Sequence, residues 1–223
     1  MRKVFLSLLI CALSASSALA TMSDVDFLTL SALGSLQQIN EAIRDGANVN
    51  AVLLHSGEGA ITPLMAAAEF NTNPEVITAL IDAGADVNAR CGRGDTALIR
   101  AAHPDPNPEV TMALIEAGAD VNVRCGRGWT MLMLWAVNPE VATVLLEAGA
   151  DVNARYKCGS TLLMLMATYA RDDVHVEIIT FLLSVGADPK LRDNDGRMAI
   201  DRARENEALR DTDAFRKFYD LSF

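Results

Sequence analysis

The chain has 223 residues, with 29 acidic against 19 basic side chains and a formal net charge of −10. That balance excludes a phosphate-binding footprint and argues against nucleic acid or an anionic lipid surface as partner. With 51% hydrophobic residues, the chain is long enough to build one continuous core.

The sequence opens on Arg2 and Lys3, runs through an apolar stretch from Val4 to Leu13, and reaches Ala18, Leu19 and Ala20. A cationic start, a short apolar core and an A-x-A exit read as a cleavable secretory signal peptide, with cleavage after Ala20. The apolar stretch falls short of the roughly 20 residues that span a bilayer. A lipid-anchored reading at Cys11 is the weaker alternative, because Ile10 stands where that pattern wants a small residue. Cleavage would take the net charge from −10 to −12, because Arg2 and Lys3 leave with the leader. The expected product is exported, periplasmic or secreted, with no membrane insertion after cleavage.

Beyond the leader the sequence repeats itself. The stretch AGADVNAR at 83–90 returns as AGADVNVR at 117–124 and AGADVNAR at 148–155, with shorter echoes at 46–51 and 186–189. The glycines Gly46, Gly84, Gly118, Gly149 and Gly186 are spaced by 38, 34, 31 and 37 residues. A period in this range means stacked units, each burying its apolar side against its neighbours. Each unit has its own punctuation. Thr96 to Ala102 predicts a short helix with Leu98, Ala101 and Ala102 inward, and the prolines at 104 and 106 end it. Asn107, Pro108 and Glu109 then start a second helix as cap, first-turn proline and dipole-matched acid, and the same triplet stands at 73–75 and 138–140. Val110, Ala113 and Leu114 give this helix its apolar stripe, and Gly118 closes it. A finger of glycine-rich turn follows, Cys125 to Gly128, before the next threonine.

Helix, loop, helix and finger in about 33 residues, with Thr62-Pro63-Leu64 as the best-kept helix opening, resemble the ankyrin repeat family. The resemblance implies an all-α solenoid of helix-loop-helix-hairpin units and a protein-binding rather than catalytic role. The expected organisation is a leader at 1–20, an N-terminal capping repeat with a long first finger at 21–56, repeats at 57–90, 91–124, 125–155 and 156–192, and a C-terminal capping repeat at 193–223. Polar outer faces are expected at Gln37, Gln38, Glu41 and Arg44, and at Arg202, Arg204, Glu205, Glu207 and Arg210. The closing run Tyr219 to Phe223 superficially matches the last strand of an outer-membrane barrel, but nothing else alternates as strands do.

No residue constellation points to catalysis, a cofactor or a metal. His55, His103 and His175 lie in different units without shared ligand spacing, and no nucleophile elbow or HExxH is present. The resemblance instead implies that fingers and first helices line a concave groove. The fingers offer Arg90, Arg93, Arg124, Arg127, Arg155, Lys157, Arg192 and Arg197, a cationic ladder on an acidic chain. The candidate partner-binding residues are Phe70, Arg93, Arg100, His103, Arg127, Trp129, Leu134, Tyr156, Lys157 and Tyr169. Arginine beside tryptophan and tyrosine is the composition of interface hot spots. The implied partner is a protein with an acidic patch, bound by a monomer. An alternative function class, a thiol- or metal-responsive protein, rests on Cys91, Cys125 and Cys158. Adjacent stacked units place equivalent atoms roughly 10 Å apart, whereas a disulfide needs Cα atoms within about 7 Å. Inert thiols, one disulfide, and a metal or redox site therefore stay open as readings.

Overall fold

In the computed structural model, residues 22–55, 59–102, 107–210 and 212–222 are described, and the expected leader at 1–20 lies outside them. The chain divides into two units, 1–120 and 121–223.

The first unit holds α1 (Asp24–Leu33), α2 (Leu36–Arg44), a hairpin of β1 (Leu53–His55) and β2 (Gly59–Ile61), then α3 (Pro63–Phe70), α4 (Pro74–Asp82), α5 (Ala97–Ala101) and α6 (Pro108–Glu116). α3 packs between α1 and α5, and α4 packs between α2 and α6, so the helices form an inner and an outer row. The sequence of α3 explains its place. Pro63 to Ala68 are all buried, and a helix apolar on every side belongs between neighbours. Small alanines let the flanking helices approach closely. The long first finger is a true hairpin, antiparallel with Leu53 opposite Ile61 and Leu54 opposite Ala60.

The second unit holds α7 (Met131–Leu134), α8 (Pro139–Glu147), a 3-10 turn (Lys157–Gly159), α9 (Leu162–Tyr169), α10 (Asp173–Ser184), α11 (Ala199–Glu205) and α12 (Asp213–Ser222). α9 packs on α11, and α12 covers α10 and α11. The run at 219–222, read above as a possible strand ending, is the last part of α12.

Helix starts follow the expected chemistry. Asn73, Asn107 and Asn138 accept from the backbone N–H groups of Glu75, Val110 and Val141, each with proline just inside. Thr62, Thr96, Thr130 and Thr161 do the same for the first helix of each pair. Gly118, with φ 84°, turns the chain out of α6 in the left-handed region that side chains avoid. Replacing Asn138 by alanine is expected to cost about 1 kcal/mol, read as a shifted urea midpoint with unchanged slope.

The recurring asparagines prove to be couplers. In the first unit the Asn50 amide donates to Gly84 O at 2.8 Å and accepts from Asp86 N at 2.9 Å, and Asn88 bonds Gly118 O and Asp120 N in the same way. In the second unit Asn122 spans to Gly149 and Asp151, and Asn153 to Gly186 and Asp188. Each side chain thus satisfies a donor and an acceptor of the next repeat, where a helix end leaves backbone groups unpaired.

Candidate functional site

The fingers are built on one tight loop, seen four times. The amide of Cys91, Cys125, Tyr156 or Asp193 donates to the carbonyl of Asp95, Trp129, Ser160 or Arg197, four residues on. Only Asp193 adds a carboxylate to that geometry. Its Oδ1 accepts from the amides of Asp195 and Arg197, both at 2.9 Å. Its other oxygen meets the Arg202 guanidinium, which also reaches Ser160 and Thr168. Burial works against this charge, but the Arg197 amide, the Arg202 side chain and the Asp195 amide outweigh it and hold the carboxyl below its ordinary value. Cys125 sits in the same loop without such an acceptor. Cys125→Asp is therefore expected to stabilise its finger by about 0.5–1.5 kcal/mol, checked by thermal and urea unfolding.

The arginines of the expected cationic ladder also hold contacts within the protein. The side chains of Arg90, Arg124, Arg155 and Arg192 each donate to a carbonyl four residues ahead, on Gly94, Gly128, Gly159 and Gly196. Arg124 and Arg155 also donate to the next finger, at Arg155 O and Arg192 O, 2.7 and 2.6 Å away. Arg124 and Arg155 thus tie neighbouring fingers together, and all four arginines remain exposed. Arg93 pairs with Asp95 at 3.6 Å, Arg197 with Asp195 at 3.1 Å, and Arg202 serves Asp193 instead of the polar cap face.

The candidate partner-binding residues separate in the same way. Arg100, expected on an exposed helix side, is buried against Glu69 of α3. The close packing of α3 on α5 encloses it, and its charge is neutralised across that contact. His103 lies outside the described residues. Phe70 is half-buried at the end of α3, and Leu134 is half-buried on α7. Tyr169 is 59% exposed at the end of α9. Trp135, Met131, Met133 and Met164 are core.

Four of the candidates lie close together along the fingers of the second unit. The Trp129 and Tyr156 rings sit 5.2 Å apart, tilted at 53°, both partly open to solvent. Arg127 precedes Trp129 by two residues and Lys157 follows Tyr156; both are exposed and hold no ion pair among the described residues. The loop register explains the pairing. Tyr156 takes the place that Asp193 takes in its finger, so a ring stands where a turn-binding carboxylate would fold inward. Sequence reasoning chose both rings but not their contact. Counting back five residues from Thr130 and Thr161, to Cys125 and Tyr156, would have shown the shared register.

The cysteines are free thiols, with Cys91 buried, Cys125 half-buried and Cys158 exposed. Cys158 holds φ 61°, a left-handed conformation uncommon outside glycine. Among the described residues no group of three or more His, Cys, Asp or Glu side chains is arranged to hold a metal. His175 bonds Asp172 at 2.6 Å as part of the α10 cap, and this contact lowers the Asp172 carboxyl.

The family description "Ankyrin repeats (3 copies)" matches residues 31–125 and 64–156, and "Ankyrin repeat" matches 158–194. The chain belongs to the ankyrin repeat family. No curated protein matches the chain. Among solved structures it is similar to one chain of the complex of the predatory endopeptidase Bd0816 from Bdellovibrio bacteriovorus with immunity protein Bd3460. That match has 25% identity and a TM-score of 0.69, covering 90% of this chain and 99% of the other. It is also similar in fold to EF0377, an ankyrin repeat protein, at 23% identity and a TM-score of 0.75, covering 91% and 100%. Ankyrin repeats generally mediate protein–protein interaction, and proteins built from them are typically non-catalytic.

Proposed function

We propose that this ankyrin repeat protein is an exported, monomeric, non-catalytic module that holds a protein partner, and that in the second unit Trp129 and Tyr156 form the centre of its grip. The observation that carries this reading is the partly open ring pair at 5.2 Å with Arg127 and Lys157 beside it. Aromatic rings give large contact area at low entropic cost, and the flanking cations select a partner with an acidic patch. The similarity to a chain from a complex of an endopeptidase with an immunity protein suggests an enzyme as the partner, protected, anchored or inhibited while bound. The leader at 1–20 supports export.

The test is affinity capture from the exported fraction with the mature chain as bait, beside a Trp129→Ala/Tyr156→Ala bait of equal helical signal. The reading predicts a protein retained by the first bait and lost from the second, in a salt-sensitive way. Equal retention by both baits refutes the grip.

A further inference from the structure

The outer row of the first unit carries a feature that the finger surface does not use. A groove of about 540 Å³ lies between α2 and α4. Leu36 and Ile43 of α2, with Ala79 and Ala83 at the α4 side, supply its apolar lining, and Asn40 and Thr78 add polar groups. The remaining two lining residues are acids, Glu75 and Asp82. Both are exposed, and neither is in an ion pair among the described residues.

Their positions are not both explained by helix chemistry. Glu75 stands in the first turn of α4, where a negative charge suits the dipole. Asp82 is the last residue of the same helix, where the dipole opposes it. The small side chains Ala79 and Ala83 leave the space that larger residues would fill. Seven residues separate the two carboxylates, which is about 10.5 Å along the axis, or two turns of helix.

We propose that this groove is a second interaction surface, distinct from the finger face, and that its occupant is a cationic amphipathic helix of a partner protein. An apolar strip of that helix covers Leu36, Ile43, Ala79 and Ala83. Two lysines or arginines seven positions apart reach Glu75 and Asp82. Helix-in-groove docking of this kind is read as apolar anchors at i+3 and i+4 between the charged ends.

The probe is a labelled helix-forming peptide with lysines at positions 1 and 8 and leucines at 4 and 5, titrated with the full chain by fluorescence anisotropy. The chain is expected to bind this peptide at least tenfold more tightly than the same peptide with glutamates at 1 and 8. Glu75→Gln/Asp82→Asn is expected to weaken binding of the lysine peptide at least tenfold. Both positions are exposed, so the fold is retained, as circular dichroism would record. Glu109→Gln/Glu116→Gln removes two acids at the same spacing on α6 and is expected to leave binding unchanged, as is Trp129→Ala. Absence of binding, equal binding of the glutamate peptide, or equal losses in the α4 and α6 variants would each overturn the proposal. The Trp129→Ala arm keeps its failure separate from failure of the finger reading.

Discussion

Asp193→Ala is expected to destabilise the C-terminal part of the second unit by about 3 kcal/mol. The Asp193 side chain is 1% exposed and its partner Arg202 is 15% exposed. Removing the carboxylate leaves Arg202 largely enclosed with its principal counter-charge gone, and it frees the amides of Asp195 and Arg197. The figure sits at the low end for breaking a buried pair because Arg202 retains some contact with water. Urea unfolding followed by circular dichroism checks it. A first transition should appear at lower urea, since repeat arrays lose cooperativity when one module weakens. The double variant Asp193→Ala/Arg202→Met should lose less than Asp193→Ala alone, because no stranded charge remains. If the single variant unfolds at the wild-type midpoint, the pair carries no stability.

The same carboxylate sets an acid limit. Its folded pKa lies below the ordinary 3.8, so the folded state binds the proton more weakly than the unfolded chain does. The stabilisation is therefore fully present above the unfolded value, near 3.9, and is lost as pH falls through the lowered folded value. Neutral and mildly acidic media should not touch it. In Asp193→Ala the corresponding part of the acid transition should vanish.

Fold and caps were legible because they are local and repeated. Asn before Pro, Thr before Leu, and Gly after the second helix each act within one turn of chain, so the sequence shows both the residue and the group it satisfies. The backbone contacts of the finger arginines were not anticipated, for an instructive reason. A guanidinium at a finger looks like free charge in one repeat. Its true acceptors are the carbonyl of the glycine four residues ahead and, for Arg124 and Arg155, a backbone oxygen one repeat away. Their constant spacing to Gly94, Gly128, Gly159 and Gly196 was a visible sign of a structural task. The fixed arginine-to-glycine spacing marks a contact that the fingers share, whereas the ring at 129 breaks the finger pattern. Trp129 stands where the other fingers have Asp95, Ser160 and Arg197, and it is the departure that the ring contact singles out. Arg100 was illegible in another way: its partner Glu69 is set by helix packing, 31 positions away.

Trp129→Ala is expected to weaken capture of the partner by about 2 kcal/mol or more, roughly 30-fold, the threshold of an interface hot spot. Two terms add to that figure. The indole loses its own contact with the partner, and the Tyr156 ring loses the neighbour 5.2 Å away that fixes its orientation. Tyr156→Ala should then cost about as much, and the double variant less than the sum of the two, because each ring prepares the other. Arg127→Ala and Lys157→Ala should act differently. These exposed charges guide the encounter, so their loss should slow association and flatten its salt dependence, with a small effect on dissociation. Surface plasmon resonance on the captured partner separates the two kinds of effect. Additive ring variants would mean that the aromatic pair is not one unit of recognition, and unchanged dissociation in Trp129→Ala would move the grip elsewhere on the chain.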